Sequence, residues 1–114
     1  MRISFDGVGQ WGATFRCQNV SEGQLVQVSG NGTVGTCAAG DGFAGPVLHV
    51  GRDGGACTVQ LGGAAAVAYS GTAPTAGWAK LAADGSGGVK AMEGGREYLV
   101  LDVDEAAGTV SILL

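Results

Sequence analysis

A chain of 114 residues, 46% hydrophobic and only 14% charged, holds one domain's worth of core-forming material. It excludes disorder, which needs low hydrophobicity or high charge. A net charge of −4 with no basic stripe excludes binding to nucleic acid through phosphate contacts. No apolar run approaches the roughly 20 residues of a membrane helix, so no membrane partner is expected. The N-terminus lacks the apolar stretch of a signal peptide, and the chain reads as one made and used without secretion. The 23 glycines are spread between apolar runs. They disfavour helix at about 1 kcal/mol each relative to Ala and favour many tight turns.

Taken in chain order, residues 2–5 read as a short strand, broken by Asp6-Gly7-Val8-Gly9, and residues 11–17 as a second, weaker apolar segment. Residues 1–22 are expected to form an N-terminal arm, less self-contained than the rest. Residues 24–29 and 33–37 form a hairpin across Asn31-Gly32, a pair suited to tight turns. A turn at Gly40-Asp41-Gly42 leads to a strong strand over 43–50, in which Pro46 lacks a donor and so marks an edge or bulge. Residues 56–61 return after Arg52-Asp53-Gly54-Gly55. Residues 64–69 are a small-residue strand, and 71–77 a loop. Residues 78–82 and 89–92 flank a turn at 84–88. The chain then enters its most regular stretch, 98–114. There Leu99, Leu101 and Val103 alternate with Val100, Asp102 and Asp104, which is the period of a half-buried strand. Val110, Ile112 and Leu114 alternate with Ser111 and Leu113 after a turn at 105–108.

This last hairpin occurs twice. Val47, Leu48, Val50, Gly55 and Leu61 recur without a gap as Val100, Leu101, Val103, Gly108 and Leu114, and Val59 answers to Ile112. Extended backwards, the pattern makes residues 23–61 and 77–114 two copies of one four-strand unit inside a single β-domain, 23–114. The fold expected is all-β: a compact β-barrel or β-sandwich of short antiparallel strands, built from two related halves, with an extended N-terminal arm. Superposed, Val47 should fall on Val100 and Leu61 on Leu114, all facing the core.

The motifs that could carry chemistry fail on context. Gly7-Val8-Gly9-Gln10-Trp11-Gly12 and Gly30-Asn31-Gly32-Thr33-Val34-Gly35 match a dinucleotide fingerprint, but neither precedes a helical pattern. Lys90-Ala91-Met92-Glu93 is similar to a biotinyl or lipoyl attachment turn, yet Lys90 lies on the strand side, so no covalent cofactor is expected. His49 has Asp102 as its repeat counterpart, which fits a solvent-facing position better than a catalytic base. No GxSxG elbow occurs, and the chain is read as no enzyme. Asp102, Asp104 and Glu105 lack the spacing of a calcium loop. Cys17, Cys37 and Cys57 form no CxxC pair, so free thiols and no metal are expected. The candidate contact residues are aromatic. Phe5, Trp11 and Phe15 sit in the arm and carry three of the seven aromatics. Trp78 carries the other indole. Such side chains anchor interfaces when nothing in their own chain covers them.

The order Gly-Gln-Leu-Val-Gln-Val (23–28), Phe-Ala-Gly-Pro-Val-Leu-His-Val (43–50), Gly-Trp-Ala-Lys-Leu (77–81) and the closing Gly-Thr-Val-Ser-Ile-Leu-Leu (108–114) resembles the small capsid cement, or head decoration, proteins of tailed phages. The likeness spans about residues 23–114 and lies in strands and glycines rather than in a chemical motif. The sequence departs from the family at Ala44-Gly45-Pro46, and residues 1–22 are not securely matched. The resemblance implies a structural virion protein. It would be made in the bacterial host cytoplasm, bound to the outside of the capsid against the major capsid protein, and stabilising, often as a homotrimer. The competing expectation is a small β-barrel binding module, for carbohydrate or a host surface, or another phage head or tail component.

Overall fold

A computed structural model describes residues 10–114, which hold ten β-strands and no helix. No helix among these residues is long and apolar enough to cross a membrane. The first half contains β1 (Trp11–Cys17), β2 (Leu25–Gly30), β3 (Thr33–Thr36), β4 (Gly45–Val50) and β5 (Ala56–Gly62). These close into a barrel in the order β1-β3-β2-β4-β5, β1 lying parallel to β3 and antiparallel to β5. The second half contains β6 (Ala64–Ala68), β7 (Gly77–Ala83), β8 (Val89–Ala91), β9 (Arg96–Asp104) and β10 (Thr109–Leu113). Its sheet runs β6-β10-β9-β7-β8, and its two edges meet at a parallel bridge between Tyr69 and Val89.

The two halves follow one course. The parallel contact of β1 with β3 at Cys17–Val34 corresponds to the Tyr69–Val89 bridge. The hairpin pair Val28–Val34 corresponds to Ala83–Val89. Ala13–Val59 corresponds to Ala65–Ile112. The all-β expectation with two related halves holds, but the repeat unit is larger than 23–61 and 77–114. It has five strands and begins at β1 and β6.

The arm is therefore corrected where it falls within the described residues. Residues 11–17 are not an appendage: β1 pairs along its length with β5 and closes the first barrel. Ala13, Phe15 and Cys17 point inward with period two, and Cys17 is buried. Ala and Cys contribute little apolar area, which is why the segment reads as weak. Gly12 lies so close to β5 that a Cβ there would sit 2.7 Å from the Val59 carbonyl oxygen. The expected strand over 2–5, the turn after it and Phe5 lie outside the described residues.

The repeated hairpin carries the same irregularity in both copies. Val47 faces Val59 and His49 faces Thr58, so Leu48 is an extra residue in its strand. Val100 faces Ile112 and Asp102 faces Ser111, so Leu101 is the extra residue there. Such a bulge switches the phase of the strand. It corrects the simple alternation expected for 99–103: Val100 is inside, like Val47, while Leu99 looks outward. Leu61 is corrected as well. The pairing shifts between Gly12–Gln60 and Trp11–Gly62, leaving Leu61 exposed instead of facing the core.

The cores are unequal. Cys17, Val26, Val34, Val47, Cys57 and Val59 fill the first barrel. The second half buries Ala65, Val67, Leu81, Val89, Tyr98, Val100, Val110 and Ile112, and also takes Leu25 and Phe43 from the first half. Phe43 stacks on Tyr98 with ring centroids 5.0 Å apart, and the Arg96 guanidinium lies over the same ring. At the junction Gln60, 2% exposed, donates its side-chain amide to the carbonyls of Gly62 and Ala64 at 3.0 and 2.9 Å. That satisfies both acceptors where the chain passes from one half to the other.

Candidate binding surface

The most exposed large hydrophobic residue among those described is Trp78, 69% accessible on β7. Its cross-strand partner on β9 is Leu99, whose partner on β10 is Leu113, which in turn faces Ala64 on β6. Residues directly opposite each other in adjacent strands share a face. The four therefore form one apolar row across the outside of the second sheet, with Trp78 and Leu113 exposed. Leu99 and Leu113 were not singled out from sequence. The available signal was Leu113 itself, an apolar residue in the polar phase of β10.

Beside Trp78 lies an open groove of about 470 Å³, bordered by Thr72, Pro74, Thr75, Lys80, Met92 and Glu93. It offers an indole face, two hydroxyls and one charge of each sign.

Among the described residues, the three candidate contact aromatics lie apart. Trp11 is 63% exposed, and its ring lies against the backbone of Gly62 at the end of β5. Phe15 is half-buried and packs against the first core. Trp78 lies on the other half.

The polar groups build turns. The Asp84 carboxylate accepts hydrogen bonds from the Ser70 hydroxyl and from the backbone N–H groups of Ser86 and Gly88. Partial burial works against its charged form, but these donors prevail and hold the carboxyl below its ordinary range. His49 Nδ1 is 3.6 Å from a Glu22 carboxylate oxygen, with both side chains in solvent, a surface pair of the kind that contributes little to stability. The three cysteines are free. Burial, aided by a hydrogen bond with Cys17, pushes the Cys57 thiol up to about 11. Burial and the Asp41 carboxylate push Cys37 up to about 11. A thiol so shifted is a poor nucleophile near neutrality. Lys90 lies within β8 opposite Ala82, one pair from the turn over 84–88. No cluster of metal-ligating side chains occurs among the described residues. What gathers on the outside of the second sheet is apolar. Compared with known proteins, the chain matches no family model and no curated protein.

Proposed function

We propose that this protein is a structural, non-catalytic component of a tailed-phage virion, which binds the outer surface of the assembled capsid and stabilises it. The observation that carries the reading is the pairing of a Gly-rich double β-unit with large apolar side chains held outward: Trp78, Leu99 and Leu113 on one half, and Trp11 on the other. The strand-and-glycine order shared with capsid cement proteins supports it. The partner is the major capsid protein, and the working form is a homo-oligomer, a trimer by the resemblance. Many copies on one shell would reinforce subunit contacts that are individually weak.

The test is co-sedimentation of the purified chain with empty, expanded capsids of the phage that encodes it. Saturable binding, a raised temperature of capsid disruption, and weaker binding of Trp11→Ala are expected. Absence of capsid binding by the wild-type chain overturns the reading. A carbohydrate-binding module is the second reading, favoured by the Trp78 groove with its hydroxyl and charged rim. Binding on a glycan array, lost in Trp78→Ala, together with no capsid binding would select it.

A further inference from the structure

The second sheet is open along one edge, and the hydrogen-bond phase of its hairpin identifies the groups left over. The Asp84 N–H donates to the Gly88 carbonyl at 3.0 Å and the Met92 N–H to the Lys80 carbonyl at 3.1 Å. These bonds bracket the register in which Ala83 faces Val89 and Leu81 faces Ala91. Bonded and unbonded pairs alternate along an antiparallel ladder. Val89 and Ala91 therefore turn their main-chain groups away from β7, to the outer edge of β8. Val89 finds a partner there: its carbonyl accepts the Ser70 N–H at 2.9 Å, beside the parallel bridge to Tyr69. The next step of a parallel ladder would join Ala91 to the chain around Gly71. Gly71, at φ 74°, turns that chain aside. Among the described residues nothing bonds the N–H or the carbonyl of Ala91, which is exposed.

The first half has the same opening and caps it. Its parallel contact Cys17–Val34 answers to Tyr69–Val89, which matches Asn19 to Gly71 and Thr36 to Ala91. Asn19 has φ 58°, so both chains leave the seam by a left-handed turn. In the first half, however, the Gln27 side-chain amide donates to the Thr36 carbonyl at 3.2 Å and to the Asp41 carboxylate at 2.8 Å. Gln27 stands opposite Gly35 on β3. The residue in that place in the second half, opposite Lys90 on β8, is Ala82, which has no amide to give. One copy of the repeat thus caps its edge carbonyl with its own side chain, and the other leaves it bare.

Beside Ala91 there is room for a chain. Ser70, Gly71 and Lys90 border a cleft of about 350 Å³, which shares Thr72 and Ala91 with the groove of about 470 Å³ beside Trp78 and Met92. We propose that this edge of β8 receives an extended peptide segment of a partner protein, which adds as a strand on Ala91 and lays an apolar side chain against Trp78 and Met92. The occupant is a peptide because an unpaired donor and acceptor on one edge residue are matched by another extended backbone. Each end of the cleft offers one charge of each sign, Asp84 with Lys90 and Lys80 with Glu93, which suits a segment without net charge. The proposal is independent of the capsid reading, since peptide binding is measured on the protein alone.

The test begins with amide hydrogen exchange of the full chain by NMR. The Ala91 N–H should exchange as an unpaired amide, and that of its bonded neighbour Met92 at least about tenfold more slowly. Equal protection of the two overturns the proposal. Random peptides of about ten residues, longer than a typical strand, are then selected on the full chain, and the tightest binder is synthesised. Its addition should slow exchange at Ala91. Methylating its backbone nitrogens one at a time should weaken binding about tenfold at the pairing residue, the worth of one main-chain hydrogen bond. Ala91→Pro removes the donor at an edge position, where Pro is tolerated, and should weaken binding as much. Trp78→Ala should weaken it while leaving the exchange pattern of the free chain unchanged. Circular dichroism checks each fold, and if Ala91→Pro unfolds, the methylated peptides decide alone. A selection that yields no binder overturns the proposal, as does a binder indifferent to backbone methylation.

Discussion

The two halves share a strand order, a bulged hairpin and a parallel closing contact, yet they hold together differently. The first barrel is closed on itself around six buried side chains, two of them cysteines. The second is joined at its edges by a single bridge and completes its core with Leu25 and Phe43 from its neighbour. A duplicated unit need not be a duplicated stability. One copy supplies a finished barrel and the other consumes part of its surface, so a residue's importance depends on which copy it occupies.

The sharpest way to break the comparison is at Leu25 and Trp78, the cross-strand partners of the matched residues Pro46 and Leu99, which have opposite burial. Leu25→Ala should cost about 2–5 kcal/mol, the range for truncating a leucine in a packed core. Trp78→Ala should stay within about 0.5 kcal/mol, as surface substitutions do. Urea unfolding of both variants, followed by far-UV circular dichroism, measures this. Equal effects would mean that the halves do not differ as described.

Gln60 and Leu113 form the next pair. Gln60→Ala strips two buried carbonyls of their donor and should cost about 1–3 kcal/mol, whereas Leu113→Ala should be close to neutral. The comparison extends to pH through Asp84, whose counterpart in the first half is Ser29. The folded pKa of Asp84 is depressed, so its contribution is present above the ordinary aspartate value of 3.8 and is lost as pH falls through the folded value. Acid should therefore loosen the second half through this group, and Asp84→Asn should flatten the stability profile below about pH 4. The smallest effect is kinetic. In the folded protein at pH 8, Cys17 and Cys57 should resist iodoacetamide. Cys37, only partly covered, should react slowly and the unfolded chain at once, as intact mass against time will show.

Much of this was legible in the residues. The hairpin repeat was visible because both copies keep apolar residues where the bulge needs them: Val47, Leu48 and Val50 in one, Val100, Leu101 and Val103 in the other. What hid was whatever depends on partners. β1 and β6 share almost no residues, WGATFRC against AAAVA, and are recognisable as equivalents only by what they pair with. The bulge conceals the direction of Leu99 from a simple alternation rule, and so the apolar row with it. Trp78 was readable as a contact residue, but nothing in the neighbours of Leu25 tells that it is buried in the core of the other half.

The shared core also sets an order of events in time. Leu25 and Phe43 leave the ribosome well before Tyr98, Val100 and Ile112, the side chains that cover them. At 5–20 residues per second the first barrel can close once β5 has emerged, while its outer apolar residues wait several seconds for their cover. During that interval the nascent chain exposes the surface that another half-made chain could seize, so slow synthesis beyond residue 62 should favour mispairing between neighbours over correct closure within one molecule.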